Sequence, residues 1–196
     1  MDFMSTQTVV NLARAFAGES QARNRYCFYA DQAARDGLYA LEELIREIAR
    51  NEYAHAKVFF DHIATHAPSV VDNINLDSGY PFQILDTTQN MLFASKGEHD
   101  EGHEIYPKFA EIAKEEGFPE IAASFTMISK IELQHEHIFV QLHEQLKNGT
   151  MYKSQTPITW KCAYCGHTHS LTEPWQVCPV CGRGRGYVQI YLSTTK

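Results

Sequence analysis

Several things are missing from this chain of 196 residues, and each absence narrows what it does. There is no run of about 18 apolar residues, the length a helix needs to cross a bilayer. There is no basic stripe: Lys and Arg number 17 against 24 Asp and Glu, a formal net charge of −7. That balance argues against nucleic acid and against a membrane surface as partner. The opening stretch MDFMSTQTVVNLARAFAGES lacks the basic-then-apolar order of a secretory leader, so a cytoplasmic location is expected. No GxGxxG or other dinucleotide or flavin fingerprint occurs, so any nicotinamide-dependent reduction must be done by another protein. At 44% hydrophobic and 21% charged, the composition suits one good core plus a small second module.

Cysteine is scarce until the end. Cys27 stands alone and reads as a small buried hydrophobe. Cys162, Cys165, Cys178 and Cys181 then crowd together as CAYCG and CPVCG. Two close CxxC pairs without a secretion signal indicate one tetrahedral metal site rather than disulfides. Zinc ribbons and rubredoxin-like irons share this spacing, so the spacing alone leaves the metal open. Trp160, Tyr164 and Trp175 are expected to cover the site.

Composition divides the chain into 1–147, helix-like from about residue 5 apart from a stretch after Pro68, a linker over 148–157 (NGTMYKSQTP), and a β-rich, metal-stapled tail over 158–196. Apolar periodicity predicts four long helices, roughly Thr6–Arg35, Tyr39–Thr65, Phe82–Glu116 and Pro119–Lys147. Gly117 suits a C′ position and Pro119 a first turn, while Pro107 should kink or loosen the third helix. Short first and third connections make two antiparallel hairpins. The long second connection can cross the length of a bundle.

The second helix buries a contradiction. Its seam runs Leu41, Ile45, Ile48, then Glu52, His55, then Phe59, placing a carboxylate and an imidazole at core positions. The fourth helix repeats it as Ile121, Phe125, Ile128, Glu132, His135, Phe139. Glu52 and Glu132 lie 80 residues apart, as do His55 and His135. Glu19 on the first helix has counterparts near the same offset in Glu98 and Glu101 on the third. One Glu-x-x-His pair is readily a buried ion pair. Two pairs in one layer, with three further carboxylates, would repel strongly at low dielectric unless cations bind among them. Carboxylates with one imidazole per ion suit two iron or manganese ions in a helical bundle. Other histidines are expected elsewhere: His62 and His66 at a solvated helix end, and His99, His103 and His137 on the surface.

The segments AFAGESQARNRY, NEYAH, GEHDEGHEIYPKFA and IELQH, followed by the two CxxC pairs, resemble rubrerythrin over nearly the whole chain. The second carboxylate on the third helix is the most specific mark. The resemblance implies a mostly α fold, a ferritin-like four-helix bundle with a small C-terminal rubredoxin-like domain. It implies two irons in the bundle, bridged by Glu52 and Glu132, with Glu19, Glu98, Glu101, His55 and His135 as terminal ligands. Glu101 and His55 would exchange at one iron with redox state. Tyr26 and Tyr106 match tyrosines beside the ligands, and with Glu101 they are the expected catalytic groups. Tyr26 returns to the face of Glu19, but Tyr106 lies about 140° round a regular helix from Glu101, so periodicity does not select it.

The tail site is then expected to hold iron, with zinc possible, because a di-metal centre needs electrons. The implied activity is a peroxidase reducing hydrogen peroxide to water, supplied by a separate NAD(P)H-linked reductase or small redox carrier. A homodimer is implied: head-to-tail, since a ten-residue linker would let the tail swing away from its own bundle, or helix-swapped through the long second connection. The alternative is a ferritin-like ferroxidase whose tail is a structural zinc ribbon.

Overall fold

The computed structural model describes residues 2–193. Residue 1 and residues 194–196, the outer ends of the first and last expected segments, lie outside the described residues. The chain forms α1 (Gln7–Arg35), α2 (Tyr39–His66), α3 (Thr87–Asp100), a π-helical turn (Glu101–Ile105), α4 (Tyr106–Glu115) and α5 (Pro119–Lys147). Strands β1 (Ile158–Lys161) and β2 (Thr168–Leu171) follow as an antiparallel pair, Ile158 opposite Leu171. This is the expected four-helix bundle with a small tail, the third helix being α3, the π turn and α4 in succession.

The two helical hairpins are built alike, down to their turns. Gly37 and Gly117 take left-handed φ values of +76° and +90°, which favour glycine. After each, the next amide closes back on the helix: Leu38 N–H to Ala33 O at 2.9 Å, Phe118 N–H to Ala113 O at 2.8 Å. Glu116 then ties the hairpins together, accepting from the Gln7 and Thr8 amides at 2.9 and 2.8 Å. Those amides belong to the first turn of α1, where no helical carbonyl can reach them.

Residues 67–86 run back along α1 without regular structure. Val71, Ile74 and Leu76 cover the core, Tyr80 Oη–H donates to Arg14 O (3.1 Å), and Gln83 O accepts from Tyr29 Oη (2.7 Å). The third helix starts at Thr87 rather than Phe82, because Asp86 caps it by accepting from Gln89 N–H at 2.9 Å. Phe82 is 96% exposed and belongs to the link.

Two apolar clusters fill the bundle. One packs Leu12, Phe59, Tyr106 and Phe125, with Phe59 and Phe125 stacked at 4.9 Å. The other packs Tyr26, Ile45, Met91 and Phe139. Fully burying side chains of this size stabilises by about 1.5–3 kcal/mol each. Along α2 and α5 the Glu and His positions fall between these clusters.

The tail is docked rather than free. Met151 in the expected linker is buried in the second cluster, with Tyr152, Ile190 and Leu192 against it. Tyr187 stacks on Tyr39 at 4.4 Å, and Gly186 lies so close to the Gly37 carbonyl that a Cβ would overlap it. The tail therefore sits on the α1–α2 turn of its own chain.

Candidate metal centres

In mid-bundle, α1, α2, α3 and α5 each contribute to one layer. Glu19, Glu52, Glu98, Glu132, His55 and His135 are all buried there. His55 Nδ1 lies 3.0 Å from Glu52 Oε2, 2.9 Å from Glu132 Oε1 and 3.9 Å from Glu19 Oε2. His135 Nδ1 lies 3.1 Å from Glu52 Oε1, 2.9 Å from Glu132 Oε2 and 3.7 Å from Glu98 Oε2. Two half-sites result, and Glu52 and Glu132 turn one oxygen toward each. In each set the donor atoms fall within 4.8 Å of one another.

These distances are not a satisfied hydrogen-bond network. Glu19 Oε2, Glu52 Oε1, Glu98 Oε2, both Glu132 oxygens and His135 Nδ1 are buried without a hydrogen-bond partner. Orphaned buried acceptors of this kind cost about 1–3 kcal/mol each. Convergent lone pairs at this spacing fit two cations. In the metal-free chain, protons do part of that work. Burial, then the neighbouring carboxylates, push Glu19 and Glu101 well above the usual carboxylate range. Burial and then Glu52 raise Glu98 to about 8. For Glu52, burial is outweighed by His135 and His55, which bring it down to about 2. His55 in turn is lifted to about 9, Glu132 and Glu52 outweighing its burial, and His135 is raised for the same reasons.

Glu98 and Glu19 each receive a phenol from the opposite hairpin. Tyr26 Oη–H donates to Glu98 Oε1, and Tyr106 Oη–H donates to Glu19 Oε1 at 2.5 Å. Burial raises both phenols well above their ordinary values, so they stay protonated as donors. Tyr106 reaches this position through the π turn, in which its amide bonds to Glu101 O, five residues back. Pro107, with no N–H, cannot continue the α pattern there.

Glu101 stands apart from both half-sites. Its side chain lies at the wall of a cleft of about 580 Å³ bounded also by Arg14, Gly18, Arg25, Tyr80 and Gly97. Its Oε1 comes within 3.6 Å of where a Cβ on Gly18 would be, beside Glu19. A larger cavity, about 630 Å³ between Phe60, Ile63, Val71 and Ile74, touches none of these ligand positions.

Two residues escaped the sequence reading. Asn51 Nδ2 lies 3.3 Å from His135 Nε2 and orients that ring across the helix pair. Its one mark in the sequence is its place just before Glu52, where a polar residue is ordinary. Arg25 is buried beside Gly97 and over the Tyr26 ring, one residue off the seam. Of the histidines set aside, His66 meets Glu120 (2.6 Å) and His62 meets Ser124 (2.8 Å), so the pair does not converge on one point. His137 is half-buried rather than on the surface. Cys27 is half-buried against the second cluster.

In the tail, Gly166 and Gly182 at φ +77° and +71° close two matching knuckles, their amides bonding to Cys162 O and Cys178 O at 2.9 Å. Cys162 Sγ and Cys181 Sγ are 3.8 Å apart, Cys165 Sγ and Cys178 Sγ 3.7 Å. A tetrahedral ion with bonds of about 2.3 Å requires sulfurs about 3.8 Å apart. Burial raises the Cys178 thiol, but the Cys181 and Val180 amides outweigh it and bring it down to about 7. Trp160 is buried and donates to Leu171 O at 2.9 Å. Tyr164, expected in the cover, is instead 61% exposed with Arg183 over its ring, because the knuckle tip faces outward.

Comparison with known proteins agrees with this geometry. The rubrerythrin family profile matches residues 11–143, and that of the rubrerythrin rubredoxin-like domain matches 160–187. The chain is 36% identical to the rubrerythrin of Clostridium perfringens, over 96% of each chain. It is 34% identical to that of Nitratidesulfovibrio vulgaris, over 94% of each. In fold it is similar to a mixed-valence structure of nigerythrin (TM-score 0.62, 23% identity, 95% of this chain and 90% of that one). It is also similar to the Desulfovibrio desulfuricans bacterioferritin (TM-score 0.57, 21% identity, 74% and 82%). Both donor sets fit iron, a carboxylate–histidine pair of ions in the bundle and a single thiolate-held ion in the tail. With matches of this length falling on both of those regions, the chain belongs to the rubrerythrin family.

Proposed function

We propose that this chain is a non-haem di-iron peroxidase that reduces hydrogen peroxide to water, with electrons relayed through its four-cysteine iron site. The observation that carries the reading is the pair of half-sites sharing Glu52 and Glu132, their ligand atoms left orphaned in the bundle, with Glu101 at the wall of a nearby cleft. In this reading Glu52 and Glu132 would each offer an oxygen to both ions, Glu19 and His55 would complete one position, and Glu98 and His135 the other. Two ferrous ions held by these residues would supply the two electrons and the Lewis acidity that O–O cleavage needs. The balance is one peroxide, two electrons and two protons to two waters.

The remaining work belongs to the chain. Tyr26 and Tyr106 hold the terminal carboxylates in place. Glu101 and His55 serve as alternative ligands at the position beside Glu19, and Glu101, from the cleft wall, passes a proton to a molecule in the cleft. The apolar clusters above and below exclude bulk water. The working division stays 1–147, 148–157 and 158–196.

Electrons come from a separate NAD(P)H-linked reductase or small carrier. The tail docks at Tyr39, thirteen residues along α2 from Glu52, some 20 Å at about 1.5 Å per residue. Electron transfer falls steeply with distance. A head-to-tail homodimer, which brings one tail to the partner's bundle, is therefore the assembly we propose.

The test is anaerobic iron loading, followed by visible and EPR spectra and NADH-coupled peroxide consumption with a suitable reductase. Catalytic peroxide loss with reoxidation of the thiolate-held iron is expected. A tail that takes only zinc, with ferrous oxidation but no peroxide turnover, would replace this reading with a ferroxidase.

A further inference from the structure

Among the described residues, one further set of donors converges outside the buried centre and the four cysteines of the tail. His99 on α3, His103 in the π turn and Glu136 on α5 bring a ligand atom each to within 4.8 Å of one another. Four residues apart along the helix, the two imidazoles share a face, their ring centroids 4.4 Å apart. Both turn toward the same carboxylate: His99 Nδ1 to Glu136 Oε1 at 2.8 Å, His103 Nε2 to Glu136 Oε2 at 3.3 Å. Bonds of about 2.0–2.2 Å at right or tetrahedral angles place neighbouring donors about 2.8–3.6 Å apart. The observed spacing is close to that of a chelate, and a carboxylate shared between two neighbouring rings neutralises part of an incoming charge.

We propose that His99, His103 and Glu136 form a third, external metal site for a borderline divalent cation of the Zn²⁺ type. Two imidazoles and one carboxylate are a donor set such ions accept, with the fourth position left to water. The side chains of His99 and His103 are 49% and 50% exposed, so a cation reaches them without opening the bundle. The site is separate from the buried centre and holds whatever that centre's activity is.

Its position gives binding a structural effect. His99 follows Glu98, His103 lies two residues past Glu101, and Glu136 follows His135. The inner faces of these segments carry the buried carboxylates; their outer faces carry the external donors. A cation there staples the π turn to α5 from outside and restrains the segment bearing Glu101.

The test uses the full chain with its iron loaded and oxidised, titrated with Zn²⁺ by calorimetry with iron content measured before and after. One Zn²⁺ per chain beyond the iron complement is expected, with a higher unfolding temperature and slower amide exchange over residues 101–106. His103→Ala and Glu136→Ala, each on an accessible face, should lose this uptake and its stabilisation while keeping both iron spectra. Zn²⁺ uptake equal in parent and variants, uptake matched by iron release, or no uptake would each overturn the proposal.

Discussion

Tyr26 and Tyr106 show how much one hydroxyl does in this interior. Each crosses from one hairpin to a glutamate of the other, and each is held protonated by burial. Tyr26→Phe leaves Glu98 Oε1 buried without its donor, a loss of about 1–3 kcal/mol. The iron-loaded variant should melt lower than the parent while its thiolate-to-iron absorption is unchanged. The protons of the layer make a second prediction, for the metal-free chain. His55, lifted to about 9 from 6.5, contributes stability that is full below 6.5 and lost as pH rises through 9. Glu98, raised to about 8 from 4.5, adds a penalty that grows over the window between those values. Both signs agree, so the metal-free melting temperature should fall from pH 6.5 to 9 in a pH series. Iron loading, which displaces these protons, should flatten that slope. At this scale the charged seam positions were readable because Glu and His interrupt an apolar stripe. Asn51 and Arg25 were not, since each sits beside the seam, where polar residues are ordinary.

Among the elements, the π turn is the one that periodicity misses. A constant 100° per residue carries Tyr106 away from Glu101, and only the i to i+5 bond brings it round to Glu19. The sequence did hold a trace of it. Glu52, His55 and Tyr26 recur 80 residues later, whereas Glu19 recurs after 79, so the second copy has one residue more between Glu98 and Tyr106. Gly102 makes the turn fit. A Cβ there would stand 2.7 Å from Leu133 Cδ2 and 3.2 Å from Ser129 O. Overpacking of this kind costs about 1–3 kcal/mol, more than the roughly 1 kcal/mol that alanine returns in a helix. Gly102→Ala should lower the melting temperature and broaden the EPR signal of the bundle iron, leaving the tail's signal as it was. Helix ends were legible where a cap or a left-handed glycine marks them, as at Gly37 and Gly117. The start of α3 was not, because Phe82 continues an apolar pattern that Asp86 then cuts off.

For the whole molecule, the docked tail sets the route that electrons would take under the proposed function. Composition marked residues 148–157 as a linker, yet Met151 is buried and Gly186 meets Gly37 backbone to backbone. A contact between two glycines leaves no apolar signature to read. Because docking holds the tail far from its own centre, two defective chains should rescue each other. One carries Cys178→Ser, the other Glu132→Ala, and both are refolded together with iron. Peroxide turnover well above that of either variant alone is the expected outcome; turnover no greater than the separate variants would mean that each tail serves its own bundle. The duplicated hairpin has a further consequence. Two equal halves would enclose a centre with two equivalent approaches, and a small symmetrical molecule would have no reason to prefer either. The surplus residue of the second half ends that equivalence, since it comes with a carboxylate at the cleft, Glu101, whose counterparts in the first half are Gln21 and Ala22. A centre assembled by repetition thereby acquires a front and a back.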